Sequence, residues 1–104
     1  MPTETLAGHT VELDAEGFMT DPAAWNREIA VELARRAGLT LTDRHWQVIE
    51  FCRKDAQEKG EPPGVRRITQ LSGVSMRDMY ALFPKGPGKL AALVSGLRKP
   101  QGCI

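Results

Sequence analysis

The chain has 104 residues, 41% hydrophobic and 26% charged, with a formal net charge of +1. This composition excludes disordered, collagen-like and membrane-spanning chains and provides for one core, not two. The charge is unevenly placed: residues 1–64 hold seven Lys/Arg against twelve Asp/Glu, and residues 65–104 hold seven against Asp78 alone. The C-terminal part should therefore attract anions, whether nucleic acid, an acidic protein surface, a thiolate or a sulfur oxyanion.

Residues 1–20 are expected to form a small hairpin, with β-prone runs Thr3 to Ala7 and Thr10 to Leu13 around a turn at Gly8-His9. A two-stranded hairpin is marginal alone, so it must pack against the helices C-terminal to it. From Asp21 the spacing becomes helical, with Asp21 as N-cap, Pro22 in the first position, Trp25, Ile29 and Leu33 every fourth residue, and Gly38 as the stop. A central helix is expected after Thr42, its apolar face formed by Trp46, Ile49, Cys52 and Ala56 and widened by Val48 and Phe51. It should end at Gly60 and Pro62-Pro63.

Two short helices come next, Val65 to Leu71 and Ser75 to Phe83, separated by Ser72-Gly73, with Ser75 and Asp78 at capping-box spacing. Met76, Met79, Tyr80 and Phe83 share one face and should be core. A last helix from Pro87 should bury Leu90, Leu93 and Val94 before Gly96. Residues 97–104 lack periodicity and are expected to be a mobile C-terminal arm beyond a helical core of 21–96. The fold class is thus mainly α: a small orthogonal helical bundle with a helix-turn-helix-like element, an N-terminal hairpin and an extended arm.

Cys103 is the most informative residue, penultimate and preceded by glycine. Seven extended steps from Gly96 would carry its thiol up to about 23 Å at ~3.3 Å per residue, enough to visit a partner's active site. Arg98 and Lys99 favour its thiolate, and the terminal carboxylate opposes it. The plain alternative is an incidental cysteine in a frayed tail. Cys52 falls on the apolar face of the central helix and reads as a small buried hydrophobe; a disulfide to Cys103 would require the tail to enter the core.

His9 and His45 are too scattered to build a metal site, and no cofactor is expected. The run Phe83 to Leu90 shares with a phosphate loop only Gly88-Lys89, and no Ser/His/Asp or Cys/His constellation is legible. The segment Ile68 to Leu82 has the form of a helix-turn-helix, which raises DNA binding through Arg66, Arg67 and Arg77 as an alternative function. Its reading helix offers Arg77 alone as a long donor to base edges, with Asp78 beside it.

Several strings together carry a resemblance. Leu41-Thr42-Asp43-Arg44-His45-Trp46-Gln47-Val48-Ile49-Glu50-Phe51-Cys52-Arg53, Pro63-Gly64-Val65-Arg66, Tyr80-Ala81-Leu82-Phe83-Pro84-Lys85-Gly86-Pro87 and the ending Gly96-Leu97-Arg98-Lys99-Pro100-Gln101-Gly102-Cys103-Ile104 resemble the DsrC/TusE family of sulfur carriers. The likeness runs from about Asp14 to the terminus, and the Leu-Phe-Pro-x-Gly-Pro block with a Lys-Pro-x-Gly-Cys ending is highly specific.

The resemblance implies a helical fold with an N-terminal hairpin, and Cys103 as the thiol that accepts sulfane sulfur as a persulfide. It makes Lys99 and Arg66 candidate supports for the anionic group. It also implies sulfur-donating and sulfur-accepting protein partners, among them a sulfite reductase or a tRNA-thiolating enzyme; a cytoplasmic location without membrane contact is expected from the short apolar stretches and the lack of a signal-like start. Dissimilatory members carry a second tail cysteine eleven positions earlier. Ala92 stands there in this chain, so Cys103 could hold sulfur or pair with another molecule but could not close that internal bond. The expected role is a component of a sulfurtransferase relay rather than an autonomous enzyme. The remaining alternative is a non-carrying regulatory subunit of a sulfur-metabolising complex.

Overall fold

The computed structural model describes residues 3–100. Strands β1 (Thr3–Leu6) and β2 (His9–Glu12) pair antiparallel, Thr3 opposite Glu12 and Leu6 opposite His9. The turn sits at Ala7-Gly8, one residue earlier than expected, and His9 joins the strand. Ala7 and Gly8 have φ of 52° and 82°, the left-handed pair that a two-residue hairpin needs to match strand twist. Leu6 and Val11 point inward and are buried. Glu4, half-buried on the same face opposite Val11, is tied to Arg36 at 2.8 Å. Beyond the hairpin, the Asp14 carboxylate accepts from the Glu16 and Phe18 amides, which folds Phe18 and Met19 into the core.

The helix expected from Asp21 is split. Asp21 caps only a 3-10 turn, Pro22–Ala24; Trp25 is extended, and Asn26 caps a new helix, α1 (Arg27–Arg36), by accepting from the Ile29 amide at 2.9 Å. Two adjacent segments each carry a capping side chain, and Trp25 is held between them by a bond from its indole N–H to the Val94 carbonyl, 2.9 Å. Helix α1 buries Ile29, Ala30, Leu33 and Ala34.

Helix α2 (Asp43–Lys59) runs through the centre and ends at Gly60. Its buried stripe is His45, Val48, Ile49, Cys52 and Asp55. Trp46, Phe51 and Ala56, expected on the inner face, are only half-buried. The stripe is rotated because its two polar members have partners: the Thr42 amide donates to His45 Nδ1 at 3.0 Å, His45 Nε2 lies 2.9 Å from the Leu82 carbonyl, and Asp55 is clasped by Arg67. The ring of Trp46 instead lies under the Arg27 guanidinium, 3.9 Å away, where a cation rests on the π-face.

Helices α3 (Val65–Leu71) and α4 (Met76–Leu82) form the helix-turn-helix-like corner, with the Ser75 hydroxyl accepting from the Asp78 amide. The Asp78 carboxylate is bridged to Arg44 at 3.2 Å. On α4 the inner residues are Met79 and, just past its end, Phe83; Met76 and Tyr80, expected in the core, are 40% and 47% exposed. Helix α5 (Pro87–Val94) packs on α1 and α2 through Pro87, Gly88, Ala91, Ala92 and Val94. Leu90 and Leu93 are half-buried, because the small-residue face lets the backbones approach more closely than leucines would. The mainly helical bundle with its N-terminal hairpin is the fold class expected from the sequence.

Candidate functional site

The site is built around the point where the chain leaves α5. Gly96 adopts φ 71°, and the Leu97 amide donates back to the Ala92 carbonyl at 3.0 Å, closing the helix. Leu97 is only 4% exposed. The ring of Trp25 lies directly over Gly96: a Cβ there would fall 2.4 to 2.7 Å from Trp25 atoms. Arg53, on α2, stacks on the other part of this assembly, 4.2 Å from the Trp25 ring, and donates to the Ser95 and Pro22 carbonyls at 2.9 and 3.1 Å. Three sequence-distant segments thus meet at the root of the C-terminal segment.

The arm expected over 97–104 is docked at its root. Leu97 and Pro100 are buried, and Lys99 reaches Glu16 at 2.9 Å. Cys103 lies outside the described residues, as do its neighbours 101, 102 and 104.

Beside this root opens a cleft of about 630 Å³ between the 60–64 loop, the end of α2, the start of α3 and residues 98–99. Asp55, 6% exposed, accepts two bonds of 2.8 Å from Arg67 Nε and Nη2, a fork-to-fork pair that sews α2 to α3. These bonds hold the Asp55 carboxyl below its usual value of 3.8 against the opposing effect of burial, with the charges of Arg67 and Lys59 helping. A carboxylate whose folded pKa is depressed stabilises the fold above its unfolded pKa, and that contribution disappears as pH falls through the folded pKa. Asp55→Asn is therefore expected to lower the urea midpoint clearly at pH 7 and hardly at all at the acid end of the transition. A pH series of urea unfolding curves on both proteins measures this.

Of the sequence-identified supports, Lys99 lines the cleft. Arg66 is exposed on α3 and is not among the lining residues. Its neighbour Arg67 takes the place in the cleft, joined by Lys59 and Arg98. Arg98 is named in the sequence as favouring the Cys103 thiolate and Arg67 only as a DNA-contacting candidate, while Lys59 and Asp55 are missed; the chain reversal marked by Pro62-Pro63, which folds α3 back along α2, is the available signal.

Cys52 is 1% exposed, and burial pushes its thiol up to about 12, the Ser95 hydroxyl pulling weakly the other way and the Asp55 charge adding to the rise. It is a core residue, as its position on α2 suggested. Ala92 is equally buried. Among the described residues no cluster of three or more His, Cys, Asp or Glu could hold a metal ion, and no helix is long and apolar enough to cross a membrane.

The family described as DsrC like protein matches residues 5–104. The chain belongs to this family. Sulfurtransferase TusE of Pectobacterium atrosepticum is 38% identical, the match covering 93% of this chain and 95% of that one; Sulfurtransferase TusE of Escherichia coli K12 is 34% identical with the same coverage. The NMR structure of Allochromatium vinosum DsrC superposes with a TM-score of 0.86 at 32% identity, covering 98% of this chain and 97% of that one. The crystal structure of the oxidized gamma-subunit of the dissimilatory sulfite reductase, DsrC, from Archaeoglobus fulgidus also gives 0.86 at 32% identity, covering 99% and 100%. The DsrC-like relationship thus extends over sequence and fold together and assigns the chain to sulfur relay rather than to DNA-binding regulation.

Proposed function

We propose that this DsrC-like protein carries sulfane sulfur as a persulfide on Cys103 and passes it between partner proteins. The observation that supports this most is a family match continuing to residue 104, so that it includes the penultimate cysteine, together with relatives named as sulfurtransferases. In the uptake step the Cys103 thiolate attacks the outer sulfur of a donor's persulfide. A new S–S bond forms at Cys103, the donor's S–S bond breaks, and the donor's thiolate leaves with the electron pair. Delivery is the same exchange with an acceptor thiolate attacking, so no external oxidant or reductant is consumed.

The charged surroundings support the anionic group: Lys99 beside the cleft and Arg66 exposed on α3 are the proposed aids. Cys103 is three residues past Pro100, and chain length alone bounds the distance between them at about 10 Å at ~3.3 Å per residue, less than half of the bound counted from Gly96. The partners are a sulfur donor and a sulfur acceptor in the cytoplasm, of the sulfite-reductase or tRNA-thiolating kind. The reduced protein incubated with a persulfidated donor should gain a dithiothreitol-reversible increment of about 32 Da. No increment with a competent donor would favour the non-carrying subunit.

A further inference from the structure

The cleft beside the tail root has the size and charge of a ligand site in its own right. Its volume of about 630 Å³ lies within the range of small-molecule sites. Four cationic side chains line it, Lys59, Arg67, Arg98 and Lys99, against two carboxylates, Asp55 and Glu61. The carboxylates differ in standing. Asp55 is buried and occupied by Arg67 through two bonds of 2.8 Å, so it does not project into the cleft as a repelling charge.

Arg67 spends Nε and Nη2 on that pair. A guanidinium has five N–H donors, and those on Nη1 stay available for a second acceptor. Arg98 is exposed and makes no ion pair among the described residues. One wall is Pro62-Pro63, whose rings fix φ and remove two backbone N–H groups, so recognition there falls to side-chain cations on a rigid frame.

We infer that this cleft binds a small oxyanion, held by Arg98, Lys59 and the outer N–H groups of Arg67. Lys99 is answered by Glu16 at 2.9 Å, and the three remaining cations, Lys59, Arg67 and Arg98, offer several N–H donors, which suit an oxyanion with several acceptor oxygens better than a single carboxylate. The choice of sulfur oxyanions such as thiosulfate within that class rests on the relay reading; the site itself does not. The anion taken up is free in solution, and its binding does not depend on Cys103.

Titration of the full chain with sulfate and with thiosulfate, followed by amide NMR against chloride at matched ionic strength, tests the site. Saturable shifts are expected at residues 59–64, 67 and 98, equally in the wild type and in Cys103→Ser. The double variant Lys59→Gln, Arg98→Gln alters two exposed side chains and should keep a dispersed spectrum while weakening binding about tenfold or more. Shifts no larger than those with chloride, or unchanged in the double variant, would overturn the site. Loss of binding in Cys103→Ser would do so as well, assigning the anion to the thiol. Persulfide loading of the double variant, read by mass, reports on the relay separately.

Discussion

Gly96→Ala is expected to lower the thermal midpoint by at least about 10 °C, more than its chemistry of one added methyl suggests. Two costs combine. Holding a non-glycine residue at a left-handed φ of 71° costs about 1–2 kcal/mol, and overpacking a rigid site costs about 1–3 kcal/mol more. The second applies because the new Cβ would stand 2.4 Å from the Trp25 ring. Displacing that ring also endangers its bond to the Val94 carbonyl and its stacking with Arg53. Gly38→Ala is the matching control: its φ is 80° and nothing lies within 4 Å of the added carbon, so only the backbone cost remains. Thermal unfolding followed by circular dichroism should separate the two variants by several degrees. Equal midpoints would show that Trp25 does not pin the root of the C-terminal segment.

The second large effect is chemical. Cys103→Ser should abolish sulfur loading while leaving the thermal midpoint unchanged, because a hydroxyl cannot take up sulfur by thiol exchange and the replacement is nearly isosteric. Cys52→Ala should behave in the opposite sense. Removing a buried sulfur costs about 1–2 kcal/mol of stability, yet loading should persist, since a thiol 1% exposed and pushed up to about 12 supplies almost no accessible thiolate at neutral pH. Loading rates measured on the two variants form a cross: one loses sulfur and keeps stability, the other keeps sulfur and loses stability.

Helix starts and stops are legible in the sequence where one residue acts locally: Gly60 ending α2, Ser75 capping α4, Pro87 opening α5. The features that periodicity misplaces depend on partners far along the chain. Nothing near Trp25 announces that its indole is engaged by Val94 and that the helix must restart at Asn26. The rotation of the α2 stripe arises from His45 and Asp55, polar residues that burial tolerates only because Leu82 and Arg67 meet them. Of the candidate site, the tail cysteine, Lys99 and the basic surplus stand in the sequence. The cleft does not, because its cations come from α2, α3 and the segment after α5, and only packing brings Lys59, Arg67 and Arg98 together.

Sulfur carriage on Cys103 is tested most directly by peptide-mapped mass spectrometry of the protein after exposure to a persulfidated donor and quenching with an alkylating reagent. An added sulfur is expected on the C-terminal peptide containing Cys103, released by a reductant, and none on the peptide containing Cys52. Sulfur found on Cys52, or on neither peptide with a donor that loads a known carrier, would contradict the relay.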